Sequence, residues 1–157
     1  MIPFGQSTEP PHWLPMLRRY FAVILLGNLA WEVAQLPLYT LWITSTWSEK
    51  AFAVAHCTAG DLLIAAAALL CALLAVGEAR WPASGVVQVR AFAIIAGVVY
   101  TVFSEWLNIS IRGSWAYSAA MPVVPILGVG LSPLLQWIAV PCTAFWFGQR
   151  RVRVLQG

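Results

Sequence analysis

The chain has 157 residues, 61% of them hydrophobic and only 10% charged, with a net charge of +3. A soluble domain carries about 25% charged residues, so this composition excludes an ordinary soluble globule and points to a protein built for a membrane. The small positive balance comes from Lys and Arg outside the apolar runs, and no basic patch interleaved with aromatics offers a nucleic-acid surface.

A Pro-rich N-terminal arm leads into the first apolar stretch, from about Tyr20 to Ile43. The Arg18-Arg19-Tyr20-Phe21 run before it has the look of a twin-arginine export signal. The stretch is too long for a signal core, has no small-x-small cleavage site and is followed by more spans, so it reads as a transmembrane helix. On it, Asn28, Glu32 and Gln35 fall at i, i+4 and i+7, one face of a helix.

The second stretch runs from about Ala51 to Val76 and carries His56, Cys57 and Asp61. The third, about Ala91 to Ile111, holds Thr101, Glu105, Asn108 and, at its edge, Arg112 as one stripe. A loop of unusual content follows: Gly113, Ser114, Trp115, Ala116, Tyr117, then Met121-Pro122. The fourth stretch, about Val124 to Phe147, places Ser132 and Gln136 one turn apart, and Pro122, Pro125 and Pro133 are expected to start or kink it. Each stretch reaches the ~20 residues that span ~30 Å of hydrocarbon at ~1.5 Å per residue. The expected fold is therefore an all-α integral membrane protein, a four-transmembrane-helix bundle forming one domain over residues 1–157.

Four spans put Arg18, Arg19, Arg80, Arg90, Arg150, Arg151 and Arg153 on one side and only Lys50 and Arg112 on the other. That bias predicts both termini in the cytoplasm and a multi-pass protein of the cell membrane, the inner membrane in a bacterium. Nine Trp, seven Phe and four Tyr suit two interfaces to anchor, a role open to Trp106, Trp115 and Tyr117. Cys57, Cys71 and Cys142 lie in apolar runs without a CxxC and read as small packing residues.

The intramembrane polar residues carry the functional information. A charge at a bilayer centre costs about 2.5–3.5 kcal/mol on insertion scales, so Glu32, Asp61 and Glu105 are functional candidates. Counting from the expected outer ends, Glu32 lies about 16 Å deep, Asp61 about 15 Å, Glu105 about 9 Å and Gln136 about 18 Å. The polar residues thus occupy the outer half or the midplane, the pattern of a pocket opening outward. No Lys or Arg lies within the spans. Carboxyls without a cationic partner in low dielectric tend to hold a proton, and a neutral carboxylic acid is a potential general acid. Glu105, Glu32, Asp61 and His56 are accordingly the candidate catalytic groups. Asn108, Gln35, Trp106, Trp115, Tyr117 and Gln136 are candidate substrate contacts. Gln35, Asn108 and Gln136 serve equally well as interhelical hydrogen-bond glue, and His56 as a structural interface residue.

No phosphate-cradling loop, GxSxG elbow, HExxH or EF-hand pattern is present. With only His12 and His56, bis-histidine haem ligation within one chain is impossible. His56, Cys57 and Met121 could hold a soft metal from the outer side, but the spacing matches no established ligand pattern. No metal and no cofactor is expected.

The segment EWLNISIRGSWAYSAAMPVVPILGVGLSPLLQWIAVPCTAFWFGQRR resembles the repeat of the integral-membrane lycopene cyclases of the heterodimeric bacterial and fused fungal type. Gly113, Trp115 and Tyr117 match the family's Gly-x-Trp-x-Tyr, Pro141 matches a later proline, and Glu105-Trp106 stands at its Trp-Asp pair in reversed order. The family's paired glutamates at the start of the last helix appear here as Ser132-Pro133. What the resemblance implies is a helical membrane scaffold with an aromatic outer loop suited to an isoprenoid or other long apolar substrate. By the same resemblance, Glu105 would protonate a polyene double bond, and Trp106, Trp115 and Tyr117 would offer cation–π faces to the carbocation.

Three classes of function follow: a small membrane enzyme using acid–base chemistry on an isoprenoid or lipid-like substrate, a non-catalytic membrane subunit or assembly factor, and a small transporter or metal-handling protein. The partners implied are the lipid bilayer, an apolar small molecule, and a membrane-protein partner or a second copy of the chain.

Overall fold

A computed structural model describes residues 13–149. The order is α1 (Trp13–Gln35), a 3-10 turn (Leu36–Leu38), α2 (Leu41–Thr44), α3 (Trp47–Val76), α4 (Val86–Trp106), a π turn (Leu107–Ile111), β1 (Val123–Val124), β2 (Val129–Gly130) and α5 (Leu131–Gln149). The protein is all-α apart from the β1–β2 hairpin, which pairs antiparallel with Val123 opposite Gly130. Among the described residues three segments, Trp13–Leu38, Trp47–Val76 and Val86–Ile111, are long and apolar enough to cross a membrane. The protein is accordingly a membrane protein by the length and composition of its helices.

The element boundaries differ from those expected, each for a local reason. The first helix begins at Trp13 and its α-helical part stops at Gln35, well short of Ile43. Pro37 has no N–H to donate and disfavours α geometry in the residue before it, so the chain tightens into a 3-10 turn and then extends at Tyr39. The second helix starts earlier than Ala51, at Trp47, where Thr46 and Glu49 form a reciprocal capping box. The third starts at Val86 and changes to π geometry after Trp106. The last begins at Leu131, because residues 123–130 are spent on the hairpin. Of the three prolines expected at its start, Pro133 lies in its first turn, while Pro122 and Pro125 precede it in and around the hairpin. Arg150, Arg151, Arg153 and His12 lie outside the described residues.

The shorter α1 also changes the depth of its polar residues. Glu32 and Gln35 stand in the last turn of the helix, rather than a dozen or more ångströms below its end. Asp61, in contrast, lies about 21 Å along α3 from Trp47. The polar residues still meet, because α3 projects past the end of α1 at the side of the short α2.

Helices α1, α3, α4 and α5 pack in a ring, α1 on α3 and α5, and α4 on α3 and α5. The shared core is formed by Met16, Tyr20 and Ile24 of α1, small residues of α3 such as Ala65 and Ala72, Val89 and Ala93 of α4, and Trp137 and Phe145 of α5. The Tyr20 and Phe145 rings pack at 4.9 Å between centroids. Gly97 sets the approach of α4 to α5: a Cβ there would stand 2.2 Å from Trp137 Cε3. Large residues facing outward, among them Leu26, Leu63, Leu74, Ile95 and Val99, form the surface a bilayer would cover.

Candidate functional site

The polar stripes converge at one end of the helices. On α5, Gln136 is 2% exposed and acts as the hub. Its Nε2 stands 2.9 Å from Asn28 Oδ1, 3.0 Å from Glu32 Oε1 and 3.0 Å from Asp61 Oδ2, joining α1, α3 and α5. An amide nitrogen has two hydrogens, so these three contacts are shared between acceptors. Gln136 Oε1 in turn accepts from Gln35 Nε2 at 3.1 Å, and the same nitrogen donates to Glu32 Oε1 at 2.8 Å. Ser132 donates to Gln35 Oε1 at 2.8 Å and accepts from the Trp31 indole at 3.1 Å. Asn28 closes the chain by donating to the Ile24 carbonyl at 2.9 Å. Each buried amide is thereby satisfied, as a low-dielectric setting requires.

Glu105 is held separately. Buried on the inner face of α4, it accepts a hydrogen bond from Tyr117 through Oε2, and Tyr39 Oη stands 3.4 Å from the same oxygen. Tyr117 is positioned in turn by the Gly130 N–H, which donates to its hydroxyl at 2.7 Å. The approach is close: a Cβ at Gly130 would lie 3.1 Å from the Tyr117 ring and 2.9 Å from Met121 Sδ, so a larger residue would push the Tyr117 ring or Met121 aside. Burial raises both phenols above the ordinary tyrosine value, with Glu105 adding to the effect. Tyr39 and Tyr117 therefore remain protonated donors toward Glu105 near neutral pH.

A two-rung contact closes the site above Glu105. Tyr39 and Tyr117 form an antiparallel bridge, with Thr40 N–H donating to Ala116 C=O and Ser118 N–H to Leu38 C=O, both at 2.9 Å. The strap after α1 and the aromatic loop before α5 thus cover the end of the helices together. The loop's Trp115 indole N–H is buried and approaches Glu105 without completing a well-formed hydrogen bond.

Beneath this cover lies a partly open cavity of about 300 Å³. The four candidate catalytic residues, Glu32, Asp61, Glu105 and His56, all line it, as do Gln35, Asn108, Trp115 and Gln136. Its remaining wall is largely apolar, with Leu36, Val54, Ile64 and Trp137 among the contributors. Two of the expected contacts stand elsewhere. Tyr117 acts from behind Glu105 rather than from the cavity wall. Trp106 is 49% exposed on the outer side of α4, packed near Phe103, and does not line the cavity. His56 is exposed at the rim and stacks on Phe52 at 5.7 Å. Among the described lining residues Arg112 is the only Lys or Arg.

Two residues of this site carry no signal in the helical stripes. Tyr39 follows the helix-ending Pro37 and reaches Glu105 through the strap. Trp137 lies against Asp61 and occupies the space left by Gly97. The π turn after Trp106 is the third feature the periodicity does not reveal. Its wider Arg112 N–H to Leu107 C=O bond, at 2.9 Å, falls one turn from Glu105, and π turns occur often at functional sites. Among the described residues no group of three or more His, Cys, Asp or Glu side chains is arranged to hold a metal ion. In particular, Met121 is buried against Gly130 while His56 lies at the rim.

No protein family, curated protein or solved structure matches the chain.

Proposed function

We propose that the protein is a small membrane enzyme that performs acid–base chemistry on an isoprenoid or lipid-like substrate, with Glu105 as the acid. The supporting observation is the gathering of three carboxylates from three helices around one cavity, with Glu105 alone fixed by a phenolic donor. In this reading Glu105 gives its proton to one carbon of a double bond. The π electrons form the new C–H bond and leave a cation on the neighbouring carbon. A second double bond of the substrate can attack that cation to close a ring. A proton then leaves an adjacent carbon for the Glu105 carboxylate just formed, so the acid is regenerated and the substrate is isomerised or cyclised without a further reactant, with Glu32 and Asp61 lining the cavity in support. Trp115 and the apolar wall shelter the cation from water.

The proposal includes α5 as a fourth span, giving a four-helix membrane bundle. Its 19 residues extend about 28 Å, close to the thickness of the hydrocarbon core. It also places both termini in the cytoplasm of a cell whose plasma membrane holds the protein. Among the described residues Arg18, Arg19, Arg80 and Arg90 lie toward one end and Lys50 and Arg112 toward the other, which supports that orientation.

A second reading, a non-catalytic subunit, is favoured by the completeness of the Gln136 network, which serves as helix-to-helix glue whether or not chemistry follows. Comparing lipid extracts of membranes carrying the wild type or Glu105→Gln separates the two. An enzyme leaves a substrate species accumulated in the variant. Identical extracts from equally abundant, correctly inserted proteins would support the structural reading.

A further inference from the structure

The cavity is not sealed on the side where α3 faces α4. Tyr100, Ser104, Asn108 and Arg112 follow one another at four-residue steps along α4 and its π turn, and all line the cavity. Opposite them on the antiparallel α3, Ala53, Cys57, Gly60 and Ile64 also line it. A Cβ at Gly60 would meet nothing within 4 Å, so no α4 side chain fills the seam at that level. Tyr100 lines the cavity and is nonetheless 46% exposed. The opening therefore extends along the outside of the α3–α4 seam as a slot, over about 18 Å from Tyr100 to Arg112.

The slot is graded in chemistry. Arg112 stands exposed at the end nearest the helix termini, Ser104 and Asn108 follow, and Tyr100 and Ile64 flank the deep end. Asn108 already spends its amide on Ser104, at 2.9 Å to the carbonyl and 3.3 Å to the hydroxyl, which leaves Arg112 as the one Lys or Arg among the described lining residues to meet a ligand's charge, with His56 of α3 also at the rim. A volume of about 300 Å³ is at the low end for ligand sites, enough for part of a long molecule and too small for all of it. A chain held here must leave part of itself in the surrounding lipid, and the open seam permits that.

We propose that the α3–α4 seam is a lateral portal through which a single-chain lipid with an anionic headgroup slides in from the bilayer leaflet on the side of Arg112. Its headgroup rests on Arg112, the chain runs past Glu105 along the slot, and its tail leaves the seam near Tyr100. This rests on the membrane enzyme reading above and narrows its substrate to an amphiphile with a phosphate or carboxylate head.

The test uses the full-length protein in phosphatidylcholine vesicles and a long-chain isoprenyl monophosphate bearing a diazirine midway along the chain. After illumination, cross-linked residues are located by mass spectrometry. The expected result is saturable labelling confined to the facing stretches 57–64 and 100–108. Gly60→Trp fills the slot and should abolish this labelling, with Gly60→Leu as a smaller plug if the Trp variant does not fold. Arg112→Ala should weaken capture of the phosphate by about tenfold, the scale of one lost charge-assisted hydrogen bond, and leave the matching isoprenyl alcohol unaffected. An isoprenyl carboxylate behaving like the phosphate identifies charge alone as the recognised feature; failure of the carboxylate assigns the preference to phosphate. Labelling spread evenly over the lipid-facing helices, or unchanged by both plugs, overturns the portal. Glu105→Gln keeps the groups separate: it should leave labelling intact. Labelling that persists while lipid extracts of that variant match the wild type would uphold the portal and defeat the acid chemistry.

Discussion

Tyr117 donates its hydroxyl hydrogen to Glu105 Oε2 and accepts the Gly130 N–H at 2.7 Å, so one phenol couples the buried carboxyl of α4 to the first residues of α5. Removing that hydroxyl leaves Glu105 with only the longer Tyr39 contact at 3.4 Å and the Gly130 N–H without its acceptor. Tyr117→Phe should therefore lower stability by about 1–3 kcal/mol, the cost of a buried unsatisfied group, and impair any chemistry at Glu105. Unfolding in mixed micelles with rising denaturing detergent measures the first effect. A stability equal to the wild type would show that the phenol is not a structural tie.

The same phenols predict a pH dependence. Burial raises Tyr39 and Tyr117 above the unfolded value of about 10. Below that pH both states hold the proton and stability is independent of these groups. Above it the unfolded chain releases protons that the folded chain retains, so stability falls as pH rises. Thermal melts of the wild type between neutral pH and pH about 11 should show a decline at the alkaline end that is smaller in Tyr117→Phe. An equal decline in both would remove Tyr117 from the explanation.

Two glycines give opposite outcomes. Gly97→Ala forces a methyl into the Trp137 ring, 2.2 Å away, and should cost about 1–3 kcal/mol by overpacking. Because Trp137 lies against Asp61, the cavity wall shifts with it. Gly60→Ala meets open space in the middle of α3 and should be neutral or stabilising by about 0.4–1 kcal/mol. Parallel melts of the two variants check the contrast, and equal destabilisation would contradict the packing described for both helices.

Gln136 distinguishes glue from incidental contact. Gln136→Leu keeps the volume but strips the donors from Asn28, Glu32 and Asp61, and should destabilise by about 1–3 kcal/mol at least. A variant as stable as the wild type would mean that the amide does not hold α1, α3 and α5 together.

Much of this site is legible in the amino-acid sequence alone, and the reason is helical periodicity. Asn28, Glu32 and Gln35 share a face because they recur at i, i+4 and i+7, and a face with a carboxylate has to turn away from lipid. Ser132 with Gln136, and Thr101 with Glu105 and Asn108, follow the same logic. What escapes it is everything that depends on how the chain leaves a helix. Pro37 ends α1 early, and so brings Tyr39 into an extended strap that periodicity assigns to the helix itself. Residues 123–130 are apolar enough to read as span, yet they fold as a hairpin whose Gly130 orients Tyr117. The pairing of Tyr39 with Tyr117 spans 78 positions and has no local signature at all. Trp106, adjacent to Glu105 in sequence, is turned outward by the 100° step between neighbouring helical residues.

The proton itself gives the most direct test of the proposed chemistry. Purified protein in vesicles made from its host's own lipid extract is incubated in heavy water, and the lipids are analysed by mass spectrometry. If Glu105 protonates carbon, the wild type places non-exchangeable deuterium on the carbon skeleton of one lipid species, and Glu105→Gln does not. No deuterated lipid with the wild type, or equal labelling by a folded Glu105→Gln, would contradict the assignment of Glu105 as the acid.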